Sequence, residues 1–198
     1  MSYTTIQPPF TLKFDEMSKA DLKAYFQWFL DVMPSRIREL SQAVRETPGF
    51  DRWTPDHTPD SLDTLGEWLA NQIHTRPRTR DEREQLASGS PFPMEIRNEE
   101  LTNRSFSLAM DVGMYLSRVL QENHPTLHWD QPLTSKRFVD YGQPVLAGFV
   151  GKVPLNPVRI AITLAYAIAS RAQGGKRLRE IYDYWVTQIQ RGSFGTSR

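Results

Sequence analysis

Four histidines and a scatter of aspartates are the side chains through which this chain could do metal or acid–base chemistry. His124 and His128 stand four apart, a spacing that on a helix would offer two ligands to one ion. Pro125 lies between them and Trp129 follows, so the pair shares no helix face; Asp130 is the one carboxylate beside it. No metal site is expected there. Asp56 and His57 sit in a proline-rich loop, where aspartate more often closes a turn than orients a base. Asp130 and Asp140 flank neighbouring predicted strands and Asp111 stands on a long predicted helix. A general acid/base pair would need two of these acids to converge, against the simpler reading of solvated strand ends. Gly174-Gly175-Lys176 lacks the preceding strand and the following Ser or Thr of a phosphate loop, and no Gly-x-Ser-x-Gly elbow occurs. The chain has no cysteine, which removes thiolate nucleophiles, zinc–thiolate sites and disulfides together. No catalytic residue, cofactor or metal ligand is assigned.

The elements that would position these residues are organised around 101–149. Leu101, Leu108, Val112, Tyr115, Leu116, Val119 and Leu120 recur at helical spacing, with a second stripe of Phe106, Met110 and Gly113. Two stripes predict a central helix covered on more than one side. Gly113 in its middle predicts close approach by another backbone. Asn123 and Pro125 end the helix. Three short antiparallel strands are then expected over 126–130, 138–141 and 145–150, because connections this short cannot cross over.

Before this region, 10–14 alternates as a short strand and Ser18 with Asp21 resembles a capping box. A helix follows on Leu22, Tyr25, Phe26, Phe29 and Leu30. Pro34 is expected to interrupt it and begin a second helix over 35–46. Thr58-Pro59 starts another helix, ending near Ile73. The polar stretch 74–93 holds Arg76, Arg78, Arg80 and Arg83 among acids and reads as a solvated loop with a short surface helix. After the strands, Asn156-Pro157 opens a nearly all-apolar helix to about Ser170. Lys176 to Gln190 carries Leu178, Ile181, Tyr182, Trp185, Val186 and Ile189 on one face, and 192–198 reads as a frayed tail. Trp53, Trp68, Trp129 and Trp185 fall in core phase.

The fold class expected is α+β and helix-dominated, with about six helices around a small antiparallel sheet of three to four strands. The expected organisation is one domain: a helical N-terminal region over 1–75, an Arg-rich connector over 76–93 and an α+β core over 94–190. Twenty-four basic residues against twenty-three acidic ones give a net charge of +1, which announces neither a nucleic-acid protein nor a binder of acidic membranes. The start of the chain lacks the basic and apolar segments of a signal peptide, and the longest apolar run, 160–169, is about half a bilayer's thickness as a helix. A cytoplasmic protein is expected.

The runs Asp111-Val112-Gly113-Met114-Tyr115-Leu116, Leu127-His128-Trp129, Gly142-Gln143-Pro144-Val145-Leu146 and Asn156-Pro157 resemble a recurring arrangement in small bacterial α+β proteins. Some proteins of that type are thought to be immunity or accessory proteins of toxin systems. The resemblance covers about 101–170, is structural, and transfers no catalytic residue. With it, the leading reading is a non-enzymatic bacterial binding protein for a protein partner, an immunity protein covering a toxin's active site being one form. Its expected surface is the strand face and rim of His128, Asp130, Asp140, Tyr141 and Gln143, since loops beside a rigid helix make a fixed platform. The rival is a small enzyme in which Asp111, Asp130 and Asp140 line a pocket with Tyr141 and Gln143. A third reading, a nucleic-acid accessory factor using Arg76 to Arg83, is disfavoured by the charge balance.

Overall fold

The computed structural model describes residues 3–89, 96–151 and 153–190; the expected C-terminal tail lies outside them. It is a helix-dominated α+β structure with six helices and four short strands among the described residues. Helix α1 spans Lys19–Arg45, capped by Ser18, whose Oγ accepts from the Asp21 N–H at 3.1 Å while its O–H donates to the Asp21 carboxylate at 2.7 Å. The N-cap half of the box thus forms as the sequence suggests, but the Asp21 carboxylate meets the Ser18 hydroxyl and not its backbone N–H. Pro34 does not divide the helix. It has no N–H for the Leu30 carbonyl, a defect of about 3 kcal/mol. The offsetting gain is a single buried stripe, Phe29, Met33, Ile37, Leu40 and Val44, that a break would take off the core.

Helix α2, Ser61–Gln72, begins two residues later than expected: the Thr58 hydroxyl accepts from the Ser61 N–H, but Pro59 and Asp60 form the entering turn. Strand β1, Thr75–Pro77, and helix α3, Arg80–Gly89, occupy the expected connector. Strand β2, Glu99–Leu101, pairs antiparallel with β1, placing Thr75 opposite Leu101. The sequence reading missed this ladder because Thr-Arg-Pro and Glu-Glu-Leu carry almost no strand pattern. Leu101 therefore ends a strand, and the central helix α4 runs Asn103–Asn123 with Thr102 as its cap.

Strands β3, His128–Asp130, and β4, Val145–Ala147, form a second antiparallel ladder, with Trp129 opposite Leu146. The strands expected over 10–14 and 138–141 are absent. Phe138 to Gln143 is a chain of tight turns, closed by Phe138 N–H to Ser135, Tyr141 N–H to Phe138 and Gln143 N–H to Asp140. Phe10 and Phe14 instead pack edge-on against Tyr25, at 5.5 and 5.1 Å between ring centroids. The sheet is thus two separate two-stranded ladders.

Helices α5, Pro157–Ala169, and α6, Arg177–Gln190, complete the fold, with Asn156 capping α5 by accepting from the Arg159 N–H. No helix among the described residues is long and apolar enough to cross a membrane. Buried side chains from Phe29 through Trp68, Leu108 and Leu146 to Tyr182 form one hydrophobic cluster, so the helical N-terminal region shares its core with the rest. Trp53 and Trp68 are buried in it; Trp129 and Trp185 pack on its edge.

Helix α4 is the hub, buried on nearly every side from Ser105 to Leu120. At Gly113 the start of α5 crosses it so closely that a Cβ there would lie 2.7 Å from the Pro157 carbonyl oxygen and 2.9 Å from Val158 Cα. Neither neighbour is a flexible side-chain tip. Gly113→Ala should therefore lower stability in urea unfolding by about 1–3 kcal/mol despite alanine's better helix propensity. Unchanged stability would show that the two helices separate without loss.

Candidate binding face and cleft

The five residues expected to form a binding rim divide into two groups. His128 and Asp130, on β3, are exposed; the Asp130 carboxylate accepts only from the adjacent Gln131 N–H at 2.7 Å. Asp140 and Tyr141 are buried, at 1 and 6 % exposure, and do not belong to a rim. Asp140 is instead the centre of a network that ties the turns before β4 to the start of α5. Its Oδ1 accepts from Asn156 Nδ2 and its Oδ2 from Arg159 Nη2, both at 2.9 Å. The same Asn156 amide donates to Gln143 Oε1 at 2.9 Å, and Gln143 is half-buried. The side chain that caps α5 is thus held by Asp140 and Gln143.

Asp111 lies elsewhere, fully buried in the middle of α4. Arg36 of α1 grips it bidentately, Nε to Oδ1 at 2.9 Å and Nη2 to Oδ2 at 2.7 Å. The Tyr3 hydroxyl donates to the same Oδ2 and lies 2.7 Å from Ser107 Oγ, which accepts from the Ile6 N–H at 2.7 Å. Burial raises the Asp111 carboxyl from its ordinary value, against the pull of Arg36. Burial also works to lower the Arg36 guanidinium, but Asp111 outweighs it and leaves Arg36 raised. The three acids of the enzyme reading therefore sit in three separate environments, and none lines the four main clefts. Sequence reasoning missed the clasp, though Arg36 stands on the same stripe as Met33, Ile37 and Leu40, and Asp111 beside Val112.

The arginines of 76–83 are occupied by neighbouring acids and an amide. Arg76 binds Glu82 through two bonds, at 3.0 and 2.7 Å, Arg78 binds Glu100 at 2.5 Å, Arg80 binds Glu84 at 2.6 Å, and Arg83 reaches Asn98. The hydrogen bonds from Arg76 and from the Thr79 backbone hold Glu82 down at about 2. A ligand phosphate would compete with those partners for these cations. The histidines are likewise engaged separately: His124 Nε2 faces the Tyr182 hydroxyl at 3.3 Å, and Asp56 closes a turn onto Thr58 rather than orienting His57. No cluster of three metal-ligating side chains occurs among the described residues.

One concave feature was invisible in the sequence. A cleft of about 350 Å³ lies between the N-terminal segment, α4 and α5. Ile6, Pro8, Leu12 and Phe14 form one wall and Phe106, Met110, Val158 and Ile162 the other. Tyr25, Gln143 and Asn156 also border it. The Tyr3 clasp fixes one end of the segment wall and Phe10 and Phe14, packed on Tyr25, fix the other.

Compared with models of known protein families, with characterised proteins and with solved structures, the chain finds no match.

Two outcomes follow from these contacts. Arg36→Met strands the Asp111 carboxylate and should cost about 3–5 kcal/mol in urea unfolding, whereas adding Asp111→Leu should recover much of that. A single variant as stable as the parent would mean that the pair carries no structural weight. The second outcome concerns alkali. Burial raises the phenols of Tyr3, Tyr25, Tyr115 and Tyr182 above their ordinary 10.0. The folded chain therefore holds protons that the unfolded chain releases from about pH 10 upward, so this stability is present below pH 10 and is lost as pH rises through the folded values. Loss of helical circular dichroism should coincide with a steep tyrosinate absorbance step above pH 10. Full ionisation of these tyrosines in a still-helical protein would contradict it.

Proposed function

We propose that this chain is a non-enzymatic binding protein that recognises a protein partner through the platform around β3 and β4. The observation that carries the reading is where large apolar side chains face water. Val139 and Val153 are 63 % exposed, Val150 50 % and Phe138 38 %; these are four of the seven large hydrophobics exposed among the described residues. All four lie on the two loops that flank β4. Exposed apolar groups on loops are what partner surfaces are built from. The loops are not free to collapse, because Asp140, Gln143, Asn156 and Arg159 tie them together. His128 and Asp130 supply a polar edge. Asp140 and Tyr141 act beneath the surface, as supports.

The resemblance over 101–170 adds a kind of partner: a toxin domain whose active site the platform would cover. A bacterial, cytoplasmic immunity protein is the form of the reading that this favours. The test is capture of a partner from lysate of the source cells by the parent chain and by Val139→Asp with Val153→Asp. Both positions are exposed, so the melting temperature should hold. One protein at near-stoichiometric recovery should be lost with the double variant and kept with Asp130→Asn. Equal recovery by parent and double variant would remove the platform from the reading, and no partner at all would remove the reading itself.

A further inference from the structure

The cleft between the N-terminal segment and helices α4 and α5 has a chemistry different from the platform. None of its sixteen lining residues is Asp, Glu, Lys, Arg or His. Its walls are aliphatic, aromatic and methionine side chains, and its polar groups are hydroxyls and amides: Thr5, Ser107, Gln7, Asn103, Gln143 and Asn156. Several of these are already committed. Ser107 Oγ is shared with Tyr3 and the Ile6 N–H, and Asn156 serves Asp140, Gln143 and the Arg159 N–H.

Tyr25 is the exception. Its residue is only 4 % exposed and its hydroxyl makes no hydrogen bond to the described residues; the oxygen is not fully buried and keeps access to open space. The ring is packed by Phe10, Phe14, Trp28 and Phe29, with centroids 5.1 to 6.4 Å away. A hydroxyl so placed, on a residue that borders an apolar cleft, is left for water or a ligand's accepting atom to meet. Burial also raises its pKa, so the proton stays on the oxygen and can be donated. One further sign of tension lies on the segment wall. Leu12 has φ +57, a left-handed conformation that leucine rarely adopts, and is 41 % exposed beside the cleft.

We infer that this cleft is a binding site for a small, uncharged, mainly apolar molecule with one accepting oxygen, which the Tyr25 hydroxyl meets as donor. The absence of charge from the lining selects against ions, since a carboxylate or ammonium would be desolvated there with no counter-charge. The volume suits a compact ligand, at the lower end of small-molecule pockets. A ketone, an amide carbonyl or an ether would satisfy Tyr25; a pure hydrocarbon would fill the walls and leave it unpaired. The inference does not need a protein partner, and neither experiment can substitute for the other.

The test uses the full chain and three probes of one shape: butyrophenone, butylbenzene and 4-phenylbutyrate, followed by two-dimensional NMR on methyl-labelled protein. Butyrophenone should give saturable shifts at Ile6, Met110 and Ile162. Tyr25→Phe, which removes only an unpaired hydroxyl and should keep the melting temperature, should weaken butyrophenone about fivefold to tenfold and leave butylbenzene unchanged. Ile162→Trp, filling the cleft from one wall, should abolish binding of both. The inference is overturned if butyrophenone gives no saturable shifts at those methyls, if the Phe variant weakens both neutral probes equally or neither, or if 4-phenylbutyrate binds as well as the ketone.

Discussion

The ion pair between Arg36 and Asp111 is the constraint on which the remaining arrangement turns. Two opposite charges lie inside the protein, each desolvated, and each tolerable only because the other is there. Asp111 Oδ1 is met by Arg36 Nε, and Oδ2 by Arg36 Nη2 and the Tyr3 hydroxyl. Such a pair adds little net stability compared with well-packed hydrophobes; what it adds is a penalty for every misaligned alternative. A shift of α1 along α4 by one residue would leave both charges unpaired in an apolar interface. The pair therefore fixes the register of the two longest helices, and Pro34, two residues before Arg36, is tolerated within that register.

From that fixed register the cleft follows. Tyr3 and Ile6 are bound to the same cluster, so the N-terminal segment is laid over α4 and becomes a wall instead of a loose arm. The Arg36 and Arg104 guanidiniums both lie over the Tyr3 ring, at 5.3 and 5.0 Å from its centroid, which confines the ring as well as the hydroxyl. The other wall is set by backbone contact between α4 and α5 at Gly113. The width of the cleft is thus governed by one ion pair and one glycine, neither of which touches its interior.

The sequence was legible wherever one periodicity acted alone. The apolar stripe of α4, the role of Gly113, the Asn156 cap and the Asp56 turn could all be read from local pattern. It was illegible where distant residues had to be paired. Arg36 and Asp111 are 75 positions apart, and although helical phase places Arg36 on a buried stripe, nothing local names the counter-ion it meets there. Asp140 misled for the same reason, because its partners Asn156 and Arg159 lie beyond the next strand. The expected strand over 138–141 failed because Phe-Val-Asp-Tyr has strand-like composition but no strand beside it to pair with; three local turns satisfy its backbone instead. The β1–β2 ladder failed in the opposite sense: polar residues with poor propensity are held extended by a neighbour 24 residues away.

The distribution of charge also bears on what the molecule can do at its surface and in its cleft. Asp111 and Asp140, the two most buried acids, are each neutralised by an arginine and saturated with hydrogen bonds from named donors. Arg76, Arg78 and Arg179 are similarly held by carboxylates. The Arg36 and Arg159 pairs align helices and brace loops, whereas those of Arg76 and Arg179 lie nearer the surface. Outward-facing groups on the loops around β4 are valines and a phenylalanine beside Thr134, Ser135, Lys136 and Arg137, with His128 and Asp130 on β3, and those in the cleft are hydrocarbon, amides and hydroxyls. Groups of that kind discriminate by shape and by single hydrogen bonds.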